Sequence, residues 1–155
     1  MLKVNVDKLD KMAMHGTEDD PDRKVTGNFA LYSAAGTKSG AAVYFELEPG
    51  KELGAHTDSA EEMVYIIDGT VEASLGNNNE KDSLSAGEFG VVPVMERHNF
   101  RNVGTNTAKV IGFFSSPNIV STFEKVFMPD NIREFDTTKL PAPKGAATMT
   151  SANTA

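Results

Sequence analysis

An all-β fold of antiparallel strands is what this sequence predicts, on three observations. Short runs rich in Val, Ile, Phe and Tyr recur from Val25 to about Val126: Ala41–Leu47, Met63–Ile67, Val71–Leu75, Phe89–Val92 and Lys109–Phe114. Turn formers separate them, namely Pro49-Gly50, Asp68-Gly69, Gly76-Asn77-Asn78-Asn79 and Gly104-Thr105-Asn106. No helix-length apolar periodicity interrupts the region, which argues against α/β architectures. Strands this short at this spacing build a sandwich or a barrel.

The elements follow in order. Residues 1–25 are polar and hold the acidic stretch Glu18-Asp19-Asp20-Pro21-Asp22. Asp7 to Met14 suits a short helix with Leu9, Met12 and Ala13 on one side, and Pro21 stops any helix before it. This is an N-terminal arm that orders by docking elsewhere. Residues 26–128 form the β domain. Within it Asp68-Gly69, between two apolar runs, suits a tight hairpin, because glycine tolerates the positive φ such a turn needs. Residues 129–155 are a looser extension. From 139 onward Ala, Thr, Pro and Gly dominate, too little apolar surface to offset ordering entropy, so a flexible tail is expected.

Composition removes several function classes. With 155 residues the chain fits one domain with a sizeable core. There are no cysteines, so disulfides, thiolate metal sites and cysteine nucleophiles are excluded. The net charge of −7 and the lack of a dense Lys/Arg stripe argue against nucleic acid and anionic membrane as partners. The first residues lack an apolar signal-peptide core and no run is long enough to span a bilayer, so a cytoplasmic protein is the expectation.

The residues that carry chemistry are His56, Asp58, Glu62 and His98. Residues two apart in a strand point the same way, so His56 and Asp58 share a face. Glu62 opens the next strand on one face with Val64 and Ile66. His98 joins them only where the sheet folds over, as a small β-barrel does. Two of the three histidines fall in this group.

The spacings extend the pattern. Gly50, His56, Asp58, Glu62 and Gly69 resemble the first motif of the cupin family, and Gly87, Pro93, Met95, His98 and Asn102 resemble the second. The resemblance runs from about Gly40 to Ser116, with Asp58 where the family carries a histidine and Met95 where it usually carries glycine. It implies a jelly-roll β-barrel, often a homodimer, in which His56, Glu62 and His98 bind metal. Asp58 is then a direct ligand, a ligand through water, or a support for the others. As a ligand it would neutralise a divalent ion that three histidines and one carboxylate leave positive. That lowers Lewis acidity and favours Fe(II) or Mn(II) over copper, with Zn and Ni as further candidates. Glu61, by strand parity, is a solvated charge, and Asn102 holds a turn. Arg97 points away from the pocket. Tyr44, Met95, Phe100 and Phe114 are candidates to line a substrate pocket.

What the resemblance implies for function is a metal-dependent enzyme acting on a small organic molecule. Oxygenation of an enolic or phenolic compound, as in the quercetin dioxygenase-like single-domain cupins, comes first, with Glu62 able to double as general base. Isomerase, decarboxylase and lyase chemistry use similar sites, and a non-enzymatic ligand-binding or sensor role is the alternative of another class.

Overall fold

The computed structural model describes residues 1–144 and the backbone of 147–148. The strands are β1 (Leu2–Lys3), β2 (Met12–His15), β3 (Lys24–Leu31), β4 (Ala41–Leu47), β5 (His56–Asp58), β6 (Glu62–Asp68) and β7 (Thr70–Leu75). They continue with β8 (Glu80–Ser85), β9 (Phe89–Val92), β10 (His98–Asn102), β11 (Ala108–Phe114), β12 (Val120–Phe127), β13 (Ile132–Asp136) and β14 (Ala147–Thr148). Two six-stranded antiparallel sheets face each other, one in the order β13-β12-β5-β10-β7-β8, the other β2-β3-β4-β11-β6-β9; β1 pairs with β14 apart from them. This is the jelly-roll arrangement. Among the described residues the only helical turns are short 3-10 segments, and no helix is long and apolar enough to cross a membrane.

Alternation explains the layering. Along β6, Glu62, Val64 and Ile66 are buried while Met63, Ile67 and Asp68 are exposed. Val71 and Ala73 on β7, Phe100 on β10 and Val110 on β11 complete the core between the sheets. Each fully buried aliphatic or aromatic side chain contributes roughly 1.5–3 kcal/mol by leaving water.

Three expectations change. The Asp68-Gly69 turn is real, with Gly69 at φ 82, but it is not a hairpin. β6 pairs with β11 and β9, β7 with β10 and β8, so the turn carries the chain from one sheet to the other. Gly69 permits this because a Cβ there would lie 2.9 Å from Ala108 Cα.

The helix expected over Asp7–Met14 is absent. Val6–Lys8 is a 3-10 turn, and Met12–His15 is a strand laid along β3, Met12 opposite Gly27. Sheet-edge hydrogen bonds override a weak local helix preference. The barrel also continues past residue 128. β13 pairs with β12 and buries Phe135 in the core. Leu140 packs against that core, and the Tyr32 hydroxyl donates to the Pro141 carbonyl. The expected flexible tail otherwise lies outside the described residues.

Candidate metal centre

β5 is three residues long and carries two of the four groups. His56 and Asp58 are buried on the side facing the second sheet, with Thr57 between them turned away. β5 lies between β12 and β10. His56 sits opposite His98 on β10 and Phe123 on β12, and Asp58 sits opposite Ser121. Glu62 comes from the facing sheet, beside Phe114 and Val92. All four candidate ligands are buried, His98 completely.

The two imidazoles lie 4.0 Å apart, centroid to centroid, and His56 stacks on Phe123 at 4.5 Å. Nδ1 of His56 is 2.8 Å from the Gly54 carbonyl and Nδ1 of His98 is 2.9 Å from that of Glu96. A carbonyl only accepts, so each Nδ1 keeps its proton and each Nε2 presents a lone pair inward. Asp58 Oδ2 lies 3.5 Å from His56 Nε2 and 3.3 Å from His98 Nε2, and Glu62 Oε2 lies 3.4 Å from His98 Nε2. These contacts are not aligned as hydrogen bonds. Asp58 Oδ2, Glu62 Oε2 and His98 Nε2 are buried with no hydrogen-bond partner. The other oxygen of Asp58 accepts from the Ser121 hydroxyl.

Acceptors buried against acceptors are costly unless a cation lies among them. The inward atoms of His56, Asp58 and His98 fall within 4.8 Å of one another, a spread that one ion can bridge. Glu62 approaches the same atoms from the opposite sheet. Imidazoles fixed by Nδ1–H···O=C bonds, with a carboxylate held by a hydroxyl, are how supported metal ligands are arranged. The donor set fits a divalent cation.

A proton answers the same need in the metal-free state. Burial opposes charge on His98, but Asp58 and Glu62 beside it outweigh burial and push its pKa up to about 10. Burial likewise acts to raise Asp58, and its contacts with His56 and His98 overcome that and hold the carboxyl well below the usual carboxylate range.

The cavity beside the cluster is lined largely by apolar side chains, among them Met14, Phe29, Phe45, Phe114, Phe123 and Phe135. It encloses about 70 Å³, room for roughly five water-sized groups. His56, Asp58 and Glu62 enter its wall, and neither lysine nor arginine lines it.

Of the four residues expected at the pocket, Phe114 lines it and the other three do not. Tyr44 is on the outer face of its sheet, packed with Leu9 and Ala30, because parity on β4 sends Phe45 inward instead. Phe100 is fully buried behind His98, ring centroids 5.6 Å apart. Met95 adopts φ 60, where the family's glycine would be unstrained, and its side chain is 60 % exposed. Its amide donates to the Asp58 carbonyl at 2.9 Å, which ties the β9–β10 turn to the metal cluster. Arg97 pairs with Glu124, Nε to Oε1 at 2.5 Å, away from the cavity.

Two further residues shape the site. Ser121 carries the hydroxyl that fixes Asp58; its signal was a small polar residue in phase with Phe123, on the buried side of its strand. Gly112 makes room for Glu62, since a Cβ there would stand 2.0 Å from Glu62 Oε1. Its signal was a glycine inside a strand, which marks close approach.

Comparison with known proteins bears on the family and the fold. The Cupin domain family matches residues 43–114. A protein of Streptomyces cyaneus named polyketide synthase CurC is 30% identical over 116 residues, covering 72% of this chain and 73% of its own. Two solved structures are similar in fold. The Lactobacillus farciminis oxalate decarboxylase formate complex is 23% identical over 67% of this chain, with a TM-score of 0.55. Bacillus subtilis oxalate decarboxylase at pH 4.6 is 20% identical over 65%, with a TM-score of 0.57. This chain spans 31% and 27% of those two proteins. The chain belongs to the cupin family.

Proposed function

We propose that this protein is a metal-dependent enzyme acting on an apolar small molecule that presents an enolic or phenolic oxygen. The observation that carries the reading is the cavity: a mainly apolar, aromatic wall meeting two carboxylates and a histidine, with no cationic side chain. Such a wall favours a neutral ring over a carboxylate substrate, whose charge would be buried there without a partner. A small dicarboxylate such as oxalate therefore suits this site poorly, although the decarboxylases share the fold. The relative named as a polyketide synthase supports a substrate of polyketide type, rich in enolisable ketones and phenols.

His56, Asp58, Glu62 and His98 would hold the ion, Fe(II) or Mn(II) before Zn or Ni. When bound, it supplies Lewis acidity to a substrate oxygen and, if redox-active, electrons. The residues do the rest. Phe29, Phe114, Phe123 and Phe135 pack the ring and exclude water. The carboxylate of Glu62, beside the cavity, accepts the enol or phenol proton and returns it to product. Oxygenation is the reaction we assign; the polyketide-type relative favours a redox-neutral ring closure through the same enolate as the second reading.

Metal-loaded protein offered a panel of enolic and phenolic compounds, with oxygen consumption and product followed together, tests the reading. Turnover that consumes oxygen supports oxygenation, and turnover without oxygen assigns the redox-neutral reaction. Failure to bind any divalent ion in wild-type protein under all loading conditions refutes both.

A further inference from the structure

We propose that substrate enters the metal cavity past Met12, and that the Met12 side chain sets how large a group the reacting ring can carry. This rests on the cavity being the substrate site and says where that site opens. Among the described residues that line the cavity, Met12 alone is exposed, at 39%. The others are buried or half-buried. A side chain that touches both the cavity and solvent stands in the opening between them.

The strand edges explain why the opening falls there. β2 is the edge of its sheet and starts at Met12. The residues before Met12 leave that edge and cross to the outer face. Asn28 Nδ2 donates to the Asp10 carbonyl at 2.8 Å, Lys11 pairs with Glu46 at 3.0 Å, and Leu9 packs on Ala30 and Tyr44. At its other end β2 is stitched to the second sheet. His15 and Met128, the residue after β12, exchange two backbone hydrogen bonds, at 3.3 and 2.8 Å. The seam between the sheets is therefore closed at His15 and open at Met12.

Met12 is also the side chain that an entering ring meets. Strand alternation turns Met12 and Met14 toward the cavity. Met12 lies opposite Gly27, which leaves the space behind it unfilled. No larger residue fits at Gly27, because a Cβ there would stand 2.4 Å from the Tyr44 carbonyl oxygen. The unbranched thioether of Met12 turns about three bonds, so it can swing aside without moving the strand. The cavity of about 70 Å³ takes about one aromatic ring. Whatever is fused or attached to that ring stands in the opening, against Met12. The substrate class that follows is a phenol or enol whose reacting ring is the end of a flat, extended skeleton, with the remaining rings outside.

Phenol and 2-naphthol, offered to the full chain loaded with Zn(II), test this by calorimetry and stopped-flow fluorescence. Met12→Trp narrows the opening and should weaken 2-naphthol relative to phenol by about 10-fold or more. Met12→Ala should move the ratio the other way. A general loss of structure would weaken both probes alike. The chain has no cysteine of its own, so Met12→Cys supplies a unique thiol. Capped with a bulky maleimide, it should slow 2-naphthol entry and release by about 10-fold or more. The same cap on Met63→Cys, 48% exposed on the outer face, should leave both rates at the wild-type values. A ratio of affinities unmoved in both Met12→Trp and Met12→Ala overturns the proposal, as does a cap at position 12 that slows neither rate. In either case, phenol binding to the wild-type chain leaves the metal-cavity reading standing. If neither probe binds the wild-type chain, both readings fall.

Discussion

Replacing Gly112 with alanine tests the placement of Glu62 with a single methyl group. The added Cβ would lie 2.0 Å from Glu62 Oε1, 2.9 Å from Val43 Cγ1 and 3.0 Å from Glu62 Cδ. Ordinary contact needs more than 3 Å, so the carboxylate must retreat by about 1 Å while the backbone, at an ordinary strand φ, is unstrained. Glu62 is 3% exposed, so it cannot turn out to bulk solvent, and the space open to it is the cavity whose wall it enters. Overpacking of this kind costs about 1–3 kcal/mol, which for a chain this size lowers the melting temperature by roughly 2–12 °C. A displaced carboxylate should also weaken divalent-metal binding by about 10–100-fold. Calorimetric titration with Mn(II), alongside thermal melting of the metal-free protein, measures both effects. If Gly112→Ala melts below wild type yet binds Mn(II) with the wild-type constant, Glu62 is not a ligand. If neither quantity moves, the described position of Glu62 is wrong.

Other perturbations address the neighbouring groups. Ser121→Ala leaves Asp58 Oδ1 without the hydroxyl it accepts from; we expect a loss of about 1–3 kcal/mol in urea unfolding and weaker metal binding, both largely restored by Ser121→Thr. Asp58→His should shift preference toward softer ions such as Ni and Zn in a competition assay; unchanged preference and affinity would place Asp58 outside the ligand set. The raised pKa of His98, about 10 against an ordinary 6.5, stabilises the metal-free fold fully below pH 6.5. That stabilisation is lost as pH rises from there through 10. Melting temperatures of metal-free protein should therefore fall across that range, and saturating metal should flatten the decline by displacing the proton. An equal decline with and without metal would exclude His98 from the ion.

Strand alternation and turn residues made most of the sheet legible, because both are local. Ala41–Leu47 and Phe89–Val92 form as read. The pairing partners were not legible. Asp68-Gly69 carries the chemistry of any tight turn, and whether such a turn joins two strands of one sheet or crosses between sheets depends on contacts to β9, β10 and β11. Met12–His15 looked helical because Leu9, Met12 and Ala13 fall at helical spacing, while its pairing with β3 runs across the polar turn after His15. At the site, the spacing of His56, Asp58, Glu62 and His98 was visible, since parity and motif are linear. Ser121 and Gly112 were not, because each acts through a neighbouring strand. The pocket suffered most: Tyr44 and Phe45 are adjacent, and only the sheet decides which of them looks inward.

The division of the chain between centre and wall bears on how its specificity is set. His56, Asp58, Glu62 and His98 all lie inside the segment matched by the Cupin domain family, 43–114. Much of what a substrate would touch lies outside it: Met12 and Met14 on the arm, Phe29 on β3, and Ser121, Phe123 and Phe135 near the other end. β12 belongs to both wall and centre, because Phe123 stacks on His56 and Ser121 holds Asp58, so that segment is not exchangeable without disturbing the ligands. Met12, Met14 and Phe29 reach the cavity from the facing sheet, so substitutions there would reshape the wall while both β12 supports stay in place.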